Sequence, residues 1–285
     1  MRRLFQLSVL FLAVGLASAC SNPDTIVLTE NIPTAGVRFI NAVPDTNAMD
    51  FRFVDIVENS AHYKIGFRNG PATSGGVTAS AQIEYKNTRA GSRHVRIFLN
   101  DTTAAVASTI LKDTTLTIEA GKLYTAMMWG SARNGAMKFV FIEEAVTDPA
   151  ANVGLRLWNT TGAAVDGRAY ATGGSLPAGA TWSVPAYSKS AWVPFPPAQI
   201  RFNVQPAGGG ASVVPEALGL IGAAATSSAG TTTLDLEGLP GTTQAGSDVT
   251  AIIFPPSVTG SKATNFAASG MTFMWDRRPP RPAGT

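Results

Sequence analysis

Asp45, Asn47 and Asp50 place three oxygen-bearing side chains on one short stretch, and a calcium ion takes carboxylate and amide oxygens as ligands. The spacing departs from the EF-hand loop. A turn in which Asp45 bonds the following backbone beside Pro44 explains the same residues, and is the reading adopted, so no metal site is expected. Glu143 and Glu144 form a second acidic pair. Neighbours on a strand point to opposite faces, so these two are poor partners for the acid and base of a glycoside hydrolase, and a solvated strand end is expected. His62 and His94 are the only histidines and Cys20 the only cysteine. They show no metal-ligand spacing, which argues against zinc, and both histidines read as exposed or half-buried strand residues. The chain carries no G-x-S-x-G elbow, P-loop or G-x-G-x-x-G fingerprint. No catalytic set and no cofactor is expected, and a hydrolase with a cryptic carboxylate site stands as the third functional reading.

Aromatic residues offer a different chemistry. Trp158, Tyr170, Trp182, Tyr187, Trp192 and Phe195 crowd the second half of the chain. Exposed rings stack on sugars or anchor a protein partner. Trp182 and Trp192 flank turns and prolines, and with Tyr187 they are the candidate ligand-binding residues; Trp158 follows the alternation of its strand and reads as core. The alternative is that all these rings fill a core otherwise short of bulk.

Cys20 follows a targeting pattern. Arg2 and Arg3 form a positive n-region, residues 4–16 an apolar core, and Ala17-Ser18-Ala19 offers small residues before a cut. The segment Leu16-Ala17-Ser18-Ala19-Cys20 resembles a bacterial lipobox, in which the cysteine receives a diacylglyceryl group and becomes the mature N-terminus. Ala17 stands where that pattern usually has leucine, and Ala-Ser-Ala also suits ordinary signal peptidase, which would leave Cys20 a free thiol. A lone cysteine in an oxidising compartment favours lipidation. With Ser21 rather than Asp after the cysteine, the resemblance implies an outer-membrane address in the cell envelope. The expected partners are the membrane, through the Cys20 lipid, and an envelope protein or polysaccharide. Removing Arg2 and Arg3 from 22 basic residues leaves 20 against 19 acidic ones, so a basic stripe for nucleic acid is not expected.

The elements that must carry these residues are strands. Hydrophobic content of 45% permits cores, and 28 glycines with 18 prolines fit a turn-rich all-β chain. After a polar tether over 20–35, strands are predicted at 37–43, 48–54, 93–100, 105–111, 114–119, 122–129 and 136–143, and the run suggests a β-sandwich over 36–147. A boundary falls at 147–152. A second sandwich over 152–276 is predicted from strands at 153–159, 165–170, 190–193, 199–204, 231–236, 248–254 and 271–275. An edge strand near 217–221 is the alternative to a loop, and Pro194, Pro196 and Pro197 mark an edge or a crossing. Residues 277–285 form a Pro- and Arg-rich tail.

The two halves echo each other. Val37-Arg38-Phe39-Ile40-Asn41 matches Leu155-Arg156-Leu157-Trp158-Asn159, and Met49-Asp50 matches Val165-Asp166. Residues 94–98 match 199–202, Ala120-Gly121 with Thr125-Ala126 matches Ala245-Gly246 with Thr250-Ala251, and 137–141 match 271–275. Four blocks recurring in order indicate two tandem units. The first resembles a bacterial family, domain of unknown function 4397. Val37, Arg38, Asn41, Ala42, Pro44, Asp45, Ala48, Met49 and Asp50 sit in its opening pattern, Ala90, Gly91, Val95 and Ile97 in its middle, and Ile118, Ala120, Gly121, Tyr124 and Thr125 in its later block. The resemblance implies two tandem immunoglobulin-like β-sandwich domains and no established activity. The expected function is a lipid-anchored, non-catalytic interaction or structural module of the envelope, with glycan binding through the second half's aromatics as the alternative.

Overall fold

The computed structural model describes residues 31–46, 48–56, 64–65, 83–224, 238–261 and 268–279. The targeting segment 1–19, Cys20, Asn47, His62, the strand predicted at 231–236 and the tail from 280 onward lie outside the described residues. Thr34–Thr285 forms one compact unit, and among the described residues its regular structure is strand apart from one short helix. Among the described residues no helix is long and apolar enough to cross a membrane.

The first half contains β1 (Thr34–Ala42), β2 (Met49–Phe53), β3 (Lys64–Ile65), β4 (Lys86–Arg89), β5 (Gly91–Leu99), helix α1 (Ala104–Ala107), β6 (Ile110–Ile118), β7 (Leu123–Trp129) and β8 (Lys138–Glu143). They make two four-stranded sheets, in the orders β4-β1-β7-β8 and β3-β2-β5-β6. The sheets close over Val37, Phe39, Met49, Phe51, Val95, Ile97, Leu116, Ile118, Tyr124, Ala126 and Met128. These are the alternate residues of their strands, as a two-residue side-chain period requires. The strand predicted at 105–111 is replaced by α1 and the start of β6. Ala104-Ala105-Val106-Ala107 is rich in alanine, the best helix former, and the carbonyl of Thr103 accepts the amides of Val106 and Ala107 to start the turn.

The second half contains β9 (Val153–Asn159), β10 (Val165–Ala171), β11 (Trp182–Val184), β12 (Ser188–Lys189), β13 (Val193–Phe195), β14 (Ile200–Pro206), β15 (Ala217–Leu218), β16 (Asp248–Phe254) and β17 (Gly270–Arg277). Its sheets run β12-β9-β16-β17, with β13 also on β9, and β11-β10-β14-β15. Their shared core includes Leu155, Leu157, Trp182, Phe202, Val204, Val249, Ile253 and Phe273. Pro194 lies within β13 opposite Gly154, on an outer strand, where a missing amide donor is tolerated.

The same unusual pairing opens each half. β1 runs parallel to β7 and β9 parallel to β16. Gly36 lies opposite Leu123 and Gly154 opposite Asp248, and a Cβ at either glycine would collide with the side chain across from it. Gly121 and Gly246 hold positive φ of 77° and 79°, and their amides donate to Thr34 O and Asn152 O, each at 2.8 Å. Register corrects the sequence matching in two places: with Met49 set against Val165, Val95 corresponds to Phe202 rather than to Ile200, and the last block shifts as well. Ala126 faces Phe141 and Ala251 faces Phe273, so residues 139–141 correspond to 271–273 rather than to 273–275.

Strands β1, β7, β9 and β16 are buried on both faces. Their second faces meet: Ile40, Ala42, Met127 and Trp129 of the first half pack with Trp158, Ile252, Phe254 and Met274 of the second. The molecule is thus layered as four sheets, with the β1 and β9 sheets back to back in the middle.

Candidate functional site

The middle of that joint is not apolar. Arg38 on β1 is 1% exposed and Arg156 on β9 is 2% exposed, because the strand alternation that sends Val37, Phe39, Leu155 and Leu157 into the sandwich cores sends the arginines the other way. Each arginine uses Nε on its own sheet: Arg38 donates to Thr125 Oγ1 at 2.8 Å and Arg156 to Thr250 Oγ1 at 2.6 Å. Each uses Nη2 on both acids. Arg38 Nη2 lies 2.6 Å from Asp276 Oδ1 and 3.5 Å from Glu144 Oε1, and Arg156 Nη2 lies 2.9 Å from Asp276 Oδ1 and 2.9 Å from Glu144 Oε2. The threonine hydroxyls close the circuit, Thr125 donating to Glu144 Oε1 at 2.6 Å and Thr250 to Asp276 Oδ2. Each guanidinium also lies over aromatic rings, Arg38 over Tyr85 at 4.3 Å and Arg156 over Trp192 at 4.2 Å and Trp158 at 5.8 Å, a favourable place for a desolvated cation. Lys189 Nζ adds a bond to Glu144 Oε2 at 2.8 Å.

Electrostatics follow from this geometry. Burial pushes the Glu144 carboxyl up, but Arg156, Arg38 and Lys189 outweigh it and hold the group at about 2. Burial opposes the charge on Arg38, and Asp276, Tyr85 and Glu144 more than restore it, so its value is raised. Burial lowers Lys189 despite Glu144. Beside the cluster, Asp248 is fully buried. Its Oδ2 accepts the amide of Thr147 at 3.2 Å, and its Oδ1 has no partner among the described residues. Burial and the nearby Asp276 push it up to about 6, with Thr147, Arg277 and Arg156 opposing.

Further ties cross the joint, among them Tyr85 Oη donating to Asp276 Oδ1 at 3.1 Å and Ser261 Oγ to Pro44 O at 3.4 Å. Pro44 O accepts Val258 N at 2.9 Å, and Arg133 Nη1 donates to Thr259 O at 3.1 Å. Asp45 fixes this corner by accepting Ser131 Oγ, Ala132 N and Arg133 N, and these three bonds hold its carboxyl down against burial. Asp50 meanwhile accepts Arg52 and Asn100. The two aspartates of the calcium reading therefore serve separate protein donors, as turn and strand residues do.

The candidate residues separate. Trp182 is 5% exposed and stacks on Phe202 with centroids 6.2 Å apart and 3° between planes, so the expectation of a surface ring is corrected: its position on β11 points it into the sandwich core. Trp192 is half-buried, carrying Arg156 on its face and donating Nε1 to Ala145 O at 3.0 Å. Tyr187 is 41% exposed, holds a φ of 54° and leans on Trp129 at 5.5 Å. Trp192 and Tyr187 thus rim the joint. Trp158 is buried as predicted, but in the joint rather than in a sandwich core. His94 is half-exposed, beside Asp113. Glu143 is exposed and paired with Lys122, whereas Glu144, expected in solvent, is buried because a second sheet covers its face.

Sequence reasoning missed the joint. The available signal was apolar residues on both faces of the same strands, as in Ile40, Met127, Trp129, Ile252 and Phe254, which marks a sheet covered on two sides.

A family model described as a domain of unknown function (DUF4397) matches residues 35–166. The match spans the first sandwich and continues through β9 to the second residue of β10. Comparison with curated proteins gives no match.

Proposed function

We propose that the chain is a lipid-anchored protein of the bacterial envelope, held through Cys20, in which two tandem sandwiches of this family, over 36–147 and 152–276, serve as one rigid, non-catalytic interaction or structural module. The observation that carries this reading is that the two central acids of the joint are fully partnered. Glu144 and Asp276 are the acids best placed to act together, and their side chains are 1% and 0% exposed. Arginine and threonine donors fill both, with Lys189 added on Glu144 and Tyr85 on Asp276, leaving neither free to move a proton to a substrate. Buried networks of this kind fix one arrangement of the parts they join. An immunoglobulin-like type for each sandwich and an outer-membrane address from Ser21 belong to the same proposal. It is tested by the mass of the mature N-terminus together with pull-down from the native envelope. A diacylglyceryl cysteine at position 20 and a stoichiometric envelope partner are expected. An unmodified thiol, or turnover of an envelope polymer abolished by one side-chain change, contradicts it.

A second reading is glycan binding at the rim, favoured by the exposed ring of Tyr187 and its positive φ, since strained backbone concentrates at functional sites. A glycan array with the soluble protein and its Tyr187→Ala and Trp192→Ala variants tests it. Binding lost in both variants supports the reading; no binding, or equal binding by both, ends it. Trp182→Ala now serves only as a control for lost packing.

A further inference from the structure

The two faces that meet in the joint are equivalent surfaces. Strand register places Arg38 with Arg156, Thr125 with Thr250, and Glu144 with Asp276. The apolar residues fall into the same correspondence: Ile40 with Trp158, Met127 with Ile252, and Trp129 with Phe254, all buried in one cluster. Each face contributes the same set, an arginine, a threonine and an acid, and each arginine reaches across to the other face's acid. That is the pattern of a two-fold interface between separate subunits, where each side repeats the contacts of the other. The linker contributes little to it. Residues 145–148, 150 and 151 are exposed, and the linker's side contacts, Thr147 to Asp248, Asp148 to Arg277 and Ala145 to Trp192, all fall on the second half.

We infer that the joint is a protein-docking interface in its own right, whose first-half face recognises a sandwich presenting the matching arginine, threonine and acid, so that the two halves hold together without their covalent link and exchange with the corresponding halves of a second copy of this chain. Lys189 sets which pairing wins. It lies on β12 of the second half and bonds Glu144 of the first. Pairing two second halves would set two Arg156 and two Lys189 against two Asp276, an excess of cations at a desolvated surface. The unlike pair is therefore the favoured assembly.

The test keeps both halves. A protease site is inserted between Ala150 and Ala151 of the full chain, the folded protein is cleaved, and its assembly is followed by size-exclusion chromatography with light scattering at micromolar concentration. The cleaved halves are expected to co-elute as an unlike pair in 0.5 M salt, since buried pairs are poorly screened, and to exchange with a tagged cleaved copy on prolonged mixing. Asp276→Asn and Glu144→Gln, made before cleavage, each weaken the association more than about tenfold. Halves that separate, unfold or aggregate on cleavage overturn the inference. Halves that stay together equally well in both variants overturn the claim that these side chains select the partner. Circular dichroism of the separated variant halves distinguishes lost docking from lost folding: retained strand signal is expected, and its loss contradicts the proposal.

Discussion

The sandwich cores and the joint between them are both buried, yet they are built on opposite principles. The second core stacks Trp182, Phe202 and Phe273 among aliphatic side chains. Such a surface tolerates repacking and specifies its partner weakly. The joint surrounds two arginines, a lysine and two carboxylates with Ile40, Met127, Trp129, Trp158 and Phe254. Desolvating those charges consumes most of what their attraction returns. What the joint gains is a single permitted arrangement, because any shift strands a buried charge. Apolar area closes each sandwich, and charge geometry sets how the two lie against one another.

The sharpest way to break the comparison is from the core side. Phe202→Ala removes a fully buried ring and should cost about 3–5 kcal/mol, read as a lower denaturation midpoint that varies little with pH. From the joint side, Asp276→Ala leaves both guanidiniums short of a partner and should cost about 3 kcal/mol. Its effect should track the relative mobility of the halves in hydrogen exchange, with protection lost on β1 and β9 before β10 and β14. If the two substitutions give the same pattern of exchange, core and joint are not distinct.

Asp248→Asn tests the joint by pH. The folded carboxyl sits at about 6, above its ordinary value of 3.8. The native state is therefore fully favoured below about pH 4 and loses stability as pH rises through 6, where the ionised group is buried. Asparagine removes that loss, so the variant should be more stable at pH 8 by about 3 kcal/mol and no more stable at pH 4. Equal gains at both values would mean that packing, not charge, is responsible. Glu144 has the opposite sign. Its value near 2 gives stability that is present above about 4.5 and lost only as pH falls toward 2, so the joint should survive mild acid. The smallest effect belongs to the largest change. Replacing Arg38, Arg156, Lys189, Glu144 and Asp276 together by leucine or methionine should leave stability nearly unchanged or slightly higher, while the fixed orientation of the halves, measured by small-angle scattering, is lost.

The sandwiches were legible because alternation is a local signal. Val95 and Ile97 on β5, or Leu116 and Ile118 on β6, declare their inward face without reference to anything distant. The pairing of Arg38 with Arg156 was visible only as a repeated letter, because its meaning depends on two sheets meeting across 118 positions of chain. Alternation also hides slips of two residues, which preserve the face; that is why the block at 94–98 and the last repeat block were each matched two positions out. Trp182 was misplaced for a related reason. Its three-residue strand is too short to show a period, and only its pairing with Gly167 on β10, where no side chain competes for space, turns the ring inward.

The central claim is that the two sandwiches are one body locked by the buried charges between them. Differential scanning calorimetry of the purified protein tests it most directly. The account predicts a single transition at pH 7 whose calorimetric and van't Hoff enthalpies agree, and its division into two transitions in Asp276→Ala. Two independent transitions in the unaltered protein, or a single one that persists unchanged when Asp276 is removed, would contradict it.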